Sequence, residues 1–143
     1  MFPTVGQQLR ETRRILADVV APEVSGDYAV AALDDVLATL QVLETAWDQI
    51  LPFLQWDNGQ IAALLDHSAV DADLADRIAA ARATNPPDPL DFVAVHGRNL
   101  ELRGLLAEVI GHLGPDAPGV TAYLRQRISR YPMTATSSLP QRG

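Results

Sequence analysis

Apolar side chains recur every three or four residues along most of this chain, and β-branched runs of period two are missing. The pattern therefore predicts helices and no strands. The stretch from Asp88 to Gly114 carries two faces. On one, Phe92, Val95, Leu102, Leu106, Val109 and Leu113 form a core stripe at helical spacing. Roughly opposite, Val93, Gly97, Leu100, Gly104, Ala107 and Gly111 step by four, three, four, three and four, an a/d-type seam of mostly very small residues. Between them runs a polar row, His96, Asn99 and Arg103. Asp88 as N-cap, with Pro89 at the first helical position, is a start signal, and Gly114-Pro115 is a stop.

The same reading divides the rest of the chain. Thr4 and Gln7 have capping-box spacing, and Val5, Leu9, Thr12, Leu16, Val19 and Val20 then line one face of a helix ending before Pro22. Pro22 to Gly26 reads as a turn, with Ser25 or Asp27 capping a long second helix that runs to Leu51. Its inward positions are Leu33, Val36, Leu37, Leu40, Leu43, Trp47, Ile50 and Leu51. Pro52 either kinks that helix or ends it. Helix continues over 53–65, and Trp47, Phe53 and Trp56 fill the bend. After a connector at His67 to Val70, a short alanine-rich helix over 71–83 is anchored by Leu74 and Ile78 and closed by Thr84 to Pro87. A last helix over 117–131 buries Val120, Tyr123, Leu124 and Ile128. The expected fold is all-α: a four-helix-bundle-like core at about 4–21, 27–51, 88–113 and 117–131, with an extra helical arm at 52–84. It forms a single domain over 1–131, followed by a flexible polar tail at 132–143.

Composition removes several chemistries. With no cysteine, disulfides, thiolate metal sites and thiol nucleophiles are excluded. Lysine is absent too, which removes Schiff-base catalysis and a P-loop lysine. The net charge of −7 lies entirely in residues 1–70, where 3 arginines face 10 carboxylates; the remainder balances at 8 against 8. An acidic chain without a basic stripe is not built for nucleic acid. No apolar run approaches a membrane span, and the first residues lack the basic and apolar regions of a secretory signal, so a cytoplasmic protein is expected. Arg10, Arg13 and Arg14 are read as a solvated flank facing Glu11, Asp18 and the acidic second helix rather than as a phosphate clamp.

The remaining motifs are few. Di-iron bundles need Glu-x-x-His, which does not occur, and His67, His96 and His112 form no His-x-x-x-His pair, so neither metal nor cofactor is expected. Gly-x-Ser-x-Gly is also missing. The candidate ligand-binding residues are His96, Asn99 and Arg103 with Glu44 from the second helix, because a buried arginine needs a carboxylate. Antiparallel packing would place Glu44 nearer His96, parallel packing nearer Arg103. A register-fixing ion pair or a solvated flank accounts for the same residues without a ligand. The candidate interface is the seam Val93, Gly97, Leu100, Gly104, Ala107 and Gly111. Its three interior glycines cost a helix about 1 kcal/mol each, which close approach of another helix would offset. That partner is the first or last helix of the chain or, favoured here, the same helix of a second subunit in a homodimer.

Two segments, Ala21-Pro22-Glu23-Val24 leading into Asp27-Tyr28-Ala29 and Leu33, and Arg98-Asn99-Leu100-Glu101-Leu102-Arg103-Gly104-Leu105-Leu106, resemble small all-helical bacterial proteins of unassigned function. Such proteins are found alone or beside aminoglycoside-phosphotransferase-like kinases and acyl-CoA dehydrogenases. The resemblance implies an accessory helical domain and carries over no catalytic residues. The function expected from all of this is a non-catalytic, self-associating or accessory protein. The alternative is a small-molecule binder or cofactor-free enzyme working through the polar row.

Overall fold

In the computed structural model, which describes residues 2–66, 68–86, 88–114 and 116–133, the first helix starts at the capping box. Gln7 N donates to Thr4 Oγ1 at 3.2 Å, and Thr4 N donates to Gln7 Oε1 at 2.8 Å. Helix α1 (Val5–Ile15) runs on through a π-helical turn, Leu16–Val20, and a 3-10 turn, Ala21–Glu23, that takes Pro22 without interrupting a ladder. Gly26, at φ +95°, then makes the reversal into α2 (Asp27–Ala46); it stands where Ser25 or Asp27 was expected as cap. Met1, His67, Pro87, Pro115 and the tail expected beyond Met133 lie outside the described residues.

The described residues fall into two compact units. The first is the α1–α2 hairpin. Its helices are antiparallel, for Trp47 closes over Gly6 while Arg10 and Arg13 both reach Glu44. Leu9, Leu16, Leu33, Leu37, Leu40 and Leu43 are half-buried between them. Among the described residues of this unit only Ala46 is fully buried. The arginines are thus a flank facing the acidic second helix, as their spacing predicts, with Arg14 held locally by Glu11.

The second unit, residues 50–131, holds the main core. The second helix ends at Ala46 and α3 (Ile50–Asp66) begins afresh. Pro52 therefore separates two helices, sitting in a first turn where its missing N–H costs nothing. Asp71 caps α4 (Ala72–Ala83) by accepting from Leu74 N at 2.9 Å. Helix α5 (Phe92–Leu113) starts later than its sequence signal. Asp91 caps it, accepting from Ala94 N at 3.1 Å, while Asp88 accepts from Leu90 N and holds the turn before it. Gly114, at φ +84°, ends it. Helix α6 (Val120–Arg130) follows Gly119, whose φ is +81° and where a Cβ would come within 2.9 Å of Leu64. The hydrogen bonds fix the directions. Gln55 reaches the Pro89 carbonyl and Asn58 that of Val95, so α3 and α5 run parallel. Asp71 lies by His112 and Arg77 by Glu108, so α4 runs against α5. Leu64 lies by Gly119 and Phe53 by Tyr131, so α6 runs against α3.

Ile61, Leu74, Leu102 and Val109 are the largest apolar side chains sealed in this core. The all-α class stands, and the described residues contain no strand. A core drawn from 4–21, 27–51, 88–113 and 117–131 does not describe the packing, because the supposed arm at 52–84 supplies Ile61, Leu65, Leu74 and Ile78. The physical reason lies in α3. Leu54, Ile61 and Leu65 share one helical face, giving that helix a stripe as strong as that of α5. Phe92 and Leu113, at the ends of the α5 stripe, are exposed, as are Leu124 and Ile128 on α6. Trp47 belongs to the hairpin, and the aromatic cluster of the second unit is Phe53 with Trp56 and Tyr131. Among the described residues no helix is long and apolar enough to cross a membrane.

Candidate functional site

The most elaborate polar arrangement is buried among α3, α5 and α6. Asp57 lies on the apolar face of α3, one turn from Leu54 and Ile61, and its exposure is 0%. A lone carboxylate there would be prohibitively desolvated. Three donors from two other helices satisfy it. Tyr123 Oη donates to Asp57 Oδ1 at 2.7 Å, while Asn99 Nδ2 at 2.9 Å and Arg127 Nε at 3.2 Å donate to Oδ2. Asn99 also donates to Asn58 Oδ1 at 2.9 Å, and Asn58 donates on to the Val95 carbonyl. The helical period explains the set. Asp57 and Asn58 are adjacent on one face of α3, Tyr123 and Arg127 are four apart on α6, and Asn99 stands between Val95 and Leu102 on α5.

Arg127 closes the network toward solvent. Its guanidinium lies 5.4 Å from the Phe53 ring centroid and 5.7 Å from that of Tyr131, and Arg130 stands 4.7 Å over Trp56. These rings share in compensating a charge drawn partly out of water. Burial, and then the hydrogen bond to Asp57, push the Tyr123 hydroxyl well above the ordinary tyrosine range. Chemically this is a closed constellation. Both Asp57 oxygens are occupied, and no solvent reaches them. It ties three helices into one register, the role best attested for buried polar groups.

The four residues singled out from the sequence have different placements. Asn99 is in the network, with Asp57 rather than Glu44 as its carboxylate. His96 is exposed and stacked on Phe92, with ring centroids 5.7 Å apart. Arg103 is exposed as well. Glu44 is engaged in the hairpin, where hydrogen bonds from Arg13 and then Arg10 hold its carboxyl below the usual carboxylate range. The seam lies open on α5. Val93 is 78% and Leu100 54% exposed, and nothing comes within 4 Å of where a Cβ would stand at Gly97, Gly104 or Gly111. Among the described residues no three acidic or histidine side chains converge on a metal position.

Helical spacing assigns Tyr123 to the core and does not by itself mark Asp57, Asn58 and Arg127 as its partners. A usable signal was present: positions 54, 57, 58, 61 and 65 form an unbroken helical face with two polar residues at its centre. Compared with known proteins, the chain matches no family profile, no curated protein and no solved structure.

Proposed function

We propose that this is a non-catalytic helical protein that self-associates, with the α1–α2 hairpin as its principal contact surface. The observation that carries the reading is the hairpin's incomplete burial. Val5, Val19 and Val20 continue the stripe of half-buried Leu9 and Leu16, yet all three are exposed, as are Val30 and Val36 beside Leu33, Leu37 and Leu40. Two amphipathic helices cover only part of each other, and a second hairpin of the same chain supplies the two further helices that a four-helix arrangement needs. A two-fold contact also asks nothing of a second sequence. The filled Asp57 network supports a role without catalysis. The likeness of residues 21–33 and 98–106 to small bacterial helical proteins supports an accessory role in the cytoplasm, beside a kinase-like enzyme or an acyl-CoA dehydrogenase.

The α5 seam, Val93 to Gly111, is the second surface on which the chain would meet a copy of itself. Light scattering on purified protein separates the two. Wild type is expected at dimer mass. Val19→Asp is expected at monomer mass with unchanged helix content, since an exposed substitution shifts stability by no more than about 0.5 kcal/mol. If Val19→Asp stays dimeric and Gly104→Leu becomes monomeric, the seam is the contact. A wild-type monomer at micromolar concentration overturns self-association.

A further inference from the structure

The second unit has a cleft of about 480 Å³ between the middle of α3, the end of α4 and the first turns of α5, with Asn85, Pro86 and Pro89 at its rim. Two arginines line it, and neither is fully satisfied. Arg98 is half-buried; its Nη1 donates to the Ala81 carbonyl at 2.8 Å, and among the described residues no carboxylate pairs with it. Arg82 gives Nη1 to Asp66, but its Nε is buried and has no hydrogen-bond partner among the described residues. A guanidinium carries five N–H donors in a fixed fork, so both arginines that line the cleft keep donors beyond the bonds named here. Asp66 balances the charge of Arg82, which leaves Arg98 as the uncompensated cation of the cleft among the described residues, and an anion bound there would balance it.

The remaining lining suits a small organic body. Gly59, Ala62 and Pro86 are compact walls, and Gln55, Asn58 and Asn85 add neutral amides. The rim is held in place, for Gln55 Nε2 donates to the Pro89 carbonyl at 2.6 Å. Gly59 keeps the space open: nothing lies within 4 Å of where its Cβ would stand. It is a glycine inside a helix, with a conformational cost that alanine would avoid.

We propose that this cleft binds a small organic anion, its carboxylate or phosphate group forked by Arg98 with the Arg82 guanidinium alongside, its apolar body against Gly59, Ala62 and Pro86. The site is independent of self-association and borders the Asp57 network through Asn58, which lines its wall. Charge-assisted, forked hydrogen bonds are the interaction that arginine supplies best to such groups.

Isothermal titration of the full chain tests this with benzoate, phenyl phosphate and, as the uncharged comparator, benzyl alcohol. Saturable binding of one or both anions, weakened by added salt, and none of the alcohol is the expected result; which anion binds more tightly identifies the oxyanion. Arg98→Gln is expected to weaken binding about tenfold or more. Gly59→Leu is expected to abolish it by filling the cleft while the helix gains stability, so a variant at least as stable as wild type reads the site if Arg98→Gln fails to fold. Absence of binding by both anions, equal binding of benzyl alcohol, or undiminished binding by Gly59→Leu overturns the proposal.

Discussion

Replacing Asp57 by alanine is expected to destabilise the second unit by about 3–5 kcal/mol, the range for removing one partner of a buried ion pair. The loss exceeds that of a typical buried hydrogen bond because three donors are stranded together. Tyr123 Oη, Asn99 Nδ2 and Arg127 Nε all end on this one carboxylate. Arg127 would then be a partly buried cation with only ring faces for company. Urea unfolding followed by Trp56 fluorescence, in a Trp47→Phe background, measures the change in the unit concerned, since Trp56 lies beneath Arg130 there. A loss below about 1 kcal/mol, the worth of an ordinary exposed contact, would mean that the network does not hold the three helices together.

Tyr123→Phe examines the same network from its neutral member. At neutral pH it leaves Asp57 one donor short, at a cost of about 1–3 kcal/mol. It also removes a pH dependence. The Tyr123 hydroxyl titrates higher in the folded chain than the ordinary value near 10, because burial and its bond to Asp57 favour the neutral form. Above that pH the unfolded chain has lost a proton that the folded chain keeps. Stability contributed by Tyr123 is therefore complete below pH 10 and falls as pH rises beyond it. Wild type is expected to lose stability more steeply than Tyr123→Phe above that point, measured as urea midpoints across the alkaline range. Parallel curves would place the hydroxyl in contact with water.

The helices themselves were legible because the signals that make them are local. Thr4 with Gln7 closes its capping box, Gly114 adopts the positive φ that ends α5, and Pro52 stands at a boundary. What stayed hidden depends on which helices meet. Glu44 and Asp57 are both carboxylates beside apolar stripes, and nothing within either helix says that one faces Arg10 and Arg13 while the other faces Asn99 and Tyr123. The start of α5 departs from its sequence signal for a similar reason. Asp88-Pro89 has the composition of a helix start, but Gln55 draws the Pro89 carbonyl to α3, and a second aspartate, Asp91, caps the helix three residues later. Row membership of Asn99 with His96 and Arg103 was a correct statement of spacing; burial divides the three, since only Asn99 turns to the core side of the helix.

Leu102→Ala is expected to cost about 2–5 kcal/mol, the range for emptying a sealed leucine site. Leu102 is 0% exposed and lies in a cluster drawn from α3, α4, α5 and α6, so no single helix can shift to close the void without disturbing the others. Two residues further along the same helix, Gly104→Ala acts in the opposite direction. Its Cβ would enter open space, and an alanine in a helix interior is favoured over glycine by about 1 kcal/mol. Thermal unfolding of the two variants at one protein concentration gives both signs in one experiment. Equal and small effects would mean that α5 has no dominant buried face. Opposed effects of this size require a helix whose stability comes from the Leu102 side, with the glycine side contributing none of it.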